Sequence, residues 1–178
     1  MPEPKLARAA DSVLVLIDIQ ERLASAMAAR EEVVRAAGLL LEAAARLRIP
    51  VFVSEQYPKG LGSTVAELAA RLPEDATRIE KTCFSACDAL TLPRPQAVLA
   101  GMEAHVCVLQ TAMELSAAGR DVFVVGDAVC SRAEANYRNA LDRLQRAGVI
   151  VTNTESVIFE WLRDAGNEHF RALSKLIR

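Results

Sequence analysis

The sequence has no long hydrophobic run. Nothing in its 178 residues approaches the ~18 consecutive apolar residues of a membrane span, and the early stretch SVLVLI stops at Asp18, short of a signal peptide's apolar core. Charge of one sign is also lacking: the net charge is −2 and no block of like charges occurs, which removes the electrostatic case for a nucleic acid or membrane partner. Histidine is scarce, with only His105 and His169, and the pair Cys83 and Cys87 without neighbouring histidines makes a poor zinc site. The turn after the first apolar run reads DIQERL and contains no glycine, which excludes the glycine-rich phosphate loop of a dinucleotide-binding oxidoreductase. Four cysteines with no secretion signal read as free thiols of a reducing compartment, so a cytoplasmic location is expected.

What is present is a chain of the length and composition of one globular domain, residues 1–178, with a hydrophobic fraction of 52% and a charged fraction of 25%. Apolar runs rich in β-branched residues recur at 12–17, 51–53, 96–101, 121–126 and 149–152, with a weaker one at 77–80. Runs of this kind fit strands buried on both faces. Helical spacing appears between them at 30–48, 105–118 and 134–147, with Val106, Leu109, Gln110, Met113 and Ala117 on one stripe of the second segment. The alternation predicts an α/β fold in three layers, a six-stranded parallel sheet with helices on both faces. Cations before Pro50 and the glycine of Ala118-Gly119-Arg120 mark two helix ends. The tail FEWLRDAGNEHFRALSKLIR reads as a helix, a break at Gly166 and a second helix.

Ligands of open α/β sheets gather at the carboxyl ends of the strands. Three chemically capable residues fall on that edge: Asp18, Lys81 and Cys107. Each has an ordinary explanation. Asp18 opens DIQE, a capping-box pattern; a lone lysine is usually solvated; an unpaired cysteine is usually a small buried hydrophobe. Together they complement one another. A carboxylate can take a thiol proton and return it to a leaving group. A cation and a helix N-terminus lower a thiol's pKa, so an acidic Cys107 is expected.

The motifs VLVLIDIQ, EKTCFSAC and LAGMEAHVCVLQTA, followed by VVGDAVCSR, resemble in this order and spacing the isochorismatase-like cysteine hydrolases, from Val13 to about Thr154. The loop EQYPKGLG further resembles the isochorismatase-domain-containing branch of that family. The resemblance implies the strand order 3-2-1-4-5-6, a catalytic set of Asp18, Lys81 and Cys107, and a cis peptide at Met102-Glu103. That peptide would align the amides of Glu103 and Cys107 as an oxyanion hole. It implies hydrolysis through a covalent Cys107 adduct, and a homo-oligomer. Nicotinamidases of the superfamily bind a metal through an aspartate and histidines after the second strand, where this chain reads SEQYPKGLGSTVAEL without histidine. Metal-independent chemistry with no cofactor is therefore expected. The isochorismate-cleaving members lack a cysteine at the nucleophile position, so an amide or carbamoyl C–N bond of a small molecule is the expected target. By position, Gln20, Tyr57, Phe84 and His105 are the candidate pocket residues. The competing readings are a non-catalytic interaction protein on the same fold, and a peroxide-sensing thiol at Cys107.

Overall fold

The computed structural model describes residues 5–177. Its strands are β1 (Ser12–Ile17), β2 (Val51–Gln56), β3 (Thr77–Lys81), β4 (Gln96–Met102), β5 (Asp121–Cys130) and β6 (Ile150–Thr152). They pair in parallel as a six-stranded sheet in the order β3-β2-β1-β4-β5-β6, as the sequence motifs imply. The longer helices are α1 (Arg30–Leu47), α2 (Leu109–Ala117), α3 (Glu134–Arg146), α4 (Thr154–Leu162) and α5 (Phe170–Leu176).

β1 is buried along its whole length and divides its side chains between two cores. Leu14 and Leu16 pack with Val33, Leu40 and Leu41 of α1 and Val157 and Trp161 of α4. Val13, Val15 and Ile17 point the other way, into a core shared with Ala112 and Leu115 of α2 and Ala140 and Leu144 of α3. Such a strand has no solvent face to mark, which is why it reads as continuous apolar sequence. Each large aliphatic side chain buried in this way contributes ~1.5–3 kcal/mol.

Both anticipated helix ends are present. Arg48 closes α1 in the left-handed region at φ 54°, and Gly119 follows α2 at φ 83° while the Arg120 amide donates to the Leu115 carbonyl at 3.0 Å. In the C-terminal segment the break is wider than Gly166 alone, running from the end of α4 at Leu162 to the start of α5 at Phe170. The indole of Trp161 donates to Ser12 Oγ at 2.9 Å, tying α4 to the foot of the sheet.

Two elements differ from the sequence reading. β5 runs four residues past the expected end because its pairing with β4 shifts register: Leu99 lies opposite Val124, but Gly101 lies opposite Val129. The helix after β4 begins with a π-helical turn, Ala104–Val108, in which the Val108 amide reaches back to the Glu103 carbonyl at 3.3 Å. A π turn inserts about one extra residue and rotates the rest of the helix by ~100°. The buried stripe is Cys107, Val108, Leu109, Thr111, Ala112 and Leu115, whereas Val106 and Met113 are partly buried against the same core, Gln110 is partly buried and Ala117 is exposed. The periodicity finds the helix and the core side of Val106, Leu109 and Met113, but misses the residues at the centre of the buried face, Val108, Thr111, Ala112 and Leu115.

Gly101 has the least room of the glycines. Its φ is +145°, and a Cβ there would sit 2.0 Å from the Ile17 carbonyl oxygen of the neighbouring strand. Exchange of Gly101 for Ala must separate β1 from β4 next to the candidate site. A loss of ~3 kcal/mol or more is expected from the overlap and the disallowed backbone, read as a lowered urea midpoint.

Candidate active site

Asp18 follows β1 with φ +53°, a left-handed conformation that a short polar side chain tolerates better than a bulky one. It is not a helix cap. The nearby one-turn helix Glu21–Ala24 has Gln20 at its N-cap position, with no side-chain cap bond. Asp18 is instead fully buried, accepting from Ser54 Oγ at 2.7 Å on one oxygen and from Lys81 Nζ at 2.7 Å on the other. Ser54 lies on β2 opposite Ile17, so the sheet register sets that contact.

Lys81 ends β3 opposite Gln56. Its ammonium, on a residue only 8% exposed, is surrounded by acceptors: Asp18 Oδ2, Gln56 Oε1 at 2.7 Å, the Phe84 carbonyl at 2.9 Å and the Cys83 carbonyl at 3.2 Å. A buried ion pair survives only when its remaining donors and lone pairs are satisfied, and this one meets that condition. The lysine also fixes the segment after β3, which Ala86 ties to the next helix: its amide donates to Thr111 Oγ1 at 2.9 Å, and Thr111 Oγ1 donates to the Cys107 carbonyl at 2.7 Å.

Cys107, 5% exposed, lies in the π turn within the influence of both Asp18 and Lys81. Its thiol is not acidic. Burial, then the charge and hydrogen bonding of Asp18, push its pKa up to about 12, and the opposing pull of Lys81 does not compensate. The expectation of an acidic thiol omits the carboxylate that acts on it alongside the cation, and the cost of placing a thiolate where water is excluded. At neutral pH the site therefore holds a protonated thiol beside an ion pair.

The peptide Met102-Glu103 is cis, as the sequence motif implies. Among the described residues the Glu103 amide meets no hydrogen-bond acceptor. The Glu103 carboxylate turns aside, accepting from the Arg132 amide at 2.9 Å and pairing with the Arg132 guanidinium at 3.2 Å.

A cavity of about 740 Å³ opens beside Lys81, which the cavity and the ion pair share. Tyr57 and Phe84 line it, exposing 55% and 54% of their surfaces. Gln20 and His105 do not line it, and neither do Asp18, Glu103 or Cys107, so Lys81 is the one member of the candidate catalytic set that the cavity reaches. Gln20 is fully buried and its carboxamide is occupied by backbone, donating to the Gln56 and Gly62 carbonyls and accepting from the Gln56 amide. His105 turns toward the end of β5, with Nδ1 at 2.8 Å from Ser131 Oγ. Gln20 thus shapes the loop that carries Tyr57, and His105 braces the π turn from behind. Sequence reasoning misses Ser54, Gln56 and Thr111, whose contacts depend on strand register and on a loop crossing to α2. Among the described residues no group of His, Cys, Asp or Glu converges as a metal site, and no helix is long and apolar enough to cross a membrane. None of the four cysteines is in a disulfide.

Residues 12–156 match the isochorismatase domain family. The chain is 39% identical over 177 residues to the secreted isochorismatase effector Isc1 of Phytophthora sojae, covering 94% of this chain and 84% of that one. Among solved structures, the MAR1 ribonuclease from Caenorhabditis elegans superposes with a TM-score of 0.91 at 36% identity, covering 97% and 92% of the two chains. An octameric Escherichia coli hydrolase of unknown specificity, the ycaC gene product, gives a TM-score of 0.91 at 26% identity, covering 99% and 91%. With the strand order, the cis peptide and the domain match in agreement, this chain belongs to the isochorismatase-like hydrolase family.

Proposed function

We propose that this chain hydrolyses an amide or carbamoyl C–N bond of a small molecule through a covalent adduct on Cys107, without a metal or other cofactor. The observation that carries this reading is the buried Asp18–Lys81 pair, 2.7 Å apart, acting on a protonated Cys107 thiol. A neutral thiol beside an ionised carboxylate is the starting state for concerted proton removal: Asp18 takes the proton as Cys107 Sγ attacks the carbonyl carbon. The developing oxyanion is held by the amides of Glu103 and Cys107. Asp18 then gives its proton to the departing nitrogen, leaving an acyl-thioester. Water, deprotonated by Asp18, attacks that thioester, and the carboxylic product leaves as the thiol is reprotonated. Lys81, 2.7 Å from Asp18 Oδ2, orients that carboxyl group in each half of the cycle.

The hydrolase reading accounts for more than its rivals do. A peroxide sensor needs an accessible thiol of low pKa, and Cys107 is buried with its pKa pushed the other way. A ribonuclease, the activity named for the Caenorhabditis elegans relative, would have to admit a polyanion past the carboxylates of Glu80, Asp88 and Glu114 that line the cavity. A scaffold needs the Asp18–Lys81 pair only to anchor the segment after β3, which gives no reason for a thiol to sit within its field. The reading includes a reducing, cytoplasmic setting, which suits four unpaired thiols, and a homo-oligomer, for which the exposed Phe159 and Leu176 offer apolar surface.

Exchange of Cys107 for Ala tests the mechanism. Acylation of the protein by a small amide, followed by intact mass, should disappear, and turnover should fall by ~10³-fold or more. Retained turnover in Cys107→Ala would rule out the covalent route.

A further inference from the structure

The cavity beside Lys81 has an uneven charge. Its lining includes the carboxylates of Glu80, Asp88 and Glu114 and the ammonium groups of Lys59 and Lys81. Lys81 is neutralised by Asp18 and surrounded by carbonyl and carboxamide oxygens, so it presents no free charge to the cavity. Among the described lining residues Lys59 is then the one cation facing three carboxylates. Among the described residues Glu80, Asp88 and Glu114 have no ion-pair partner; Glu114 accepts only from Ser85 Oγ. The walls beside them are the exposed rings of Tyr57 and Phe84. A neighbouring thiol responds to the same field: Cys87 has its pKa raised by burial first, then by Glu114 and Asp88, against a smaller pull from Arg120. Arg120 does not line the cavity and directs its guanidinium to the Arg94 and Leu92 carbonyls.

We infer that this cavity, which meets the buried site at Lys81, holds the tail of the substrate against Tyr57 and Phe84 while the scissile amide lies beyond it at Cys107, and so selects a neutral or cationic amide over one carrying a carboxylate. This specificity rests on the amide-hydrolase reading. Glu80, Asp88 and Glu114 are exposed, so salt screens their field, but carboxylates gathered at a concave surface still concentrate cations and repel anions, and aromatic faces add a cation–π attraction for a quaternary or guanidinium tail. The same field favours release of the product. Hydrolysis consumes a neutral amide and water and yields a carboxylate and an amine, which is protonated once free. The acyl fragment therefore becomes anionic only after the bond is cut at Cys107, and its way out lies past carboxylates that repel it.

Cys83 lines the cavity and is exposed, so it reports the local potential without any catalysis. The first test is the rate at which Cys83 reacts with a trimethylammonium-ethyl or a sulfonatoethyl methanethiosulfonate, read by peptide mass spectrometry against an unstructured cysteine peptide. A preference for the cationic reagent on the order of tenfold at low salt is expected, narrowing at high salt and in Asp88→Asn/Glu114→Gln. Equal rates, or a preference for the anionic reagent, overturn the inference. The second test compares three primary amides of equal size with neutral, trimethylammonium and carboxylate tails. The cationic amide should exceed the anionic one in kcat/KM by on the order of tenfold, and a carboxylate-tailed amide processed as fast overturns the proposed selectivity. If no amide acylates Cys107 while Cys83 still prefers the cation, the hydrolase reading fails and with it the substrate claim, whereas the potential of the cavity stands.

Discussion

Replacing Asp18 with Asn will make Cys107 more acidic and, at the same time, remove turnover. Asparagine nearly matches the shape, tolerates the φ of +53° and can still accept from Ser54 Oγ, so the backbone there should hold. What disappears is the negative charge. Of the influences on the Cys107 thiol, burial is the largest and stays; both contributions of Asp18 raise the pKa and are lost; those of Lys81 lower it and remain. The thiol pKa must therefore fall below its value of about 12, and Cys107 alkylation, followed by mass spectrometry against pH, should begin at lower pH than in the unchanged protein. Removal of Lys81 should move it the other way. Loss of the base should meanwhile cost ~10²–10⁴ in rate. A thiol that becomes more acidic in a variant that becomes slower shows that proton transfer to Asp18, and not the resting thiolate population, limits attack. A variant both more acidic and faster would remove Asp18 from the mechanism.

Lys81→Met should be the most destabilising exchange at the site, by ~3–5 kcal/mol, because it strands a carboxylate in a place without water. Asp18 is 0% exposed and would keep only neutral donors, the Ser54 hydroxyl and the Cys107 thiol. Gln56 Oε1 and the carbonyls of Cys83 and Phe84 would lose their shared donor as well, freeing the segment that leads to Ala86. In urea, with a slope of ~2 kcal/mol/M, the midpoint should drop by about 2 M. The double variant Asp18→Asn/Lys81→Met should recover a substantial part of that loss, since no isolated charge is left behind. If the double variant were as unstable as Lys81→Met alone, the cost would lie in the loop anchoring and not in the ion pair.

The strand ends carrying Asp18, Lys81 and the helix of Cys107 are legible because β1 and β4 are buried on both faces, so hydrophobicity alone marks where they stop. β3 is mostly exposed and shows only a weak run; its position is marked by the lysine at its end. The helix face after β4 is only partly legible because small and polar residues, Thr111 and Ala112, sit at the centre of its buried side, where hydrophobicity alone does not mark them, and no residue type announces the π turn that precedes it. Gln20 and His105 look like pocket residues from their distance along the chain to Asp18 and Cys107. Each instead bonds to a partner brought in by another strand or loop, Gln56 and Gly62 for the one and Ser131 for the other.

By itself the sequence determined the α/β class, the approximate strands and the three residue types that meet at the sheet edge, because burial and strand termination are local properties written in hydrophobicity. Only the tertiary structure decided the protonation of Cys107 and the charge of the cavity. Both are sums over groups far apart in the chain, Asp18 with Lys81 and Cys107, and Glu80 with Asp88 and Glu114. An electrostatic sum of that kind depends on distance in space and exclusion of water, neither of which has a signature in linear order.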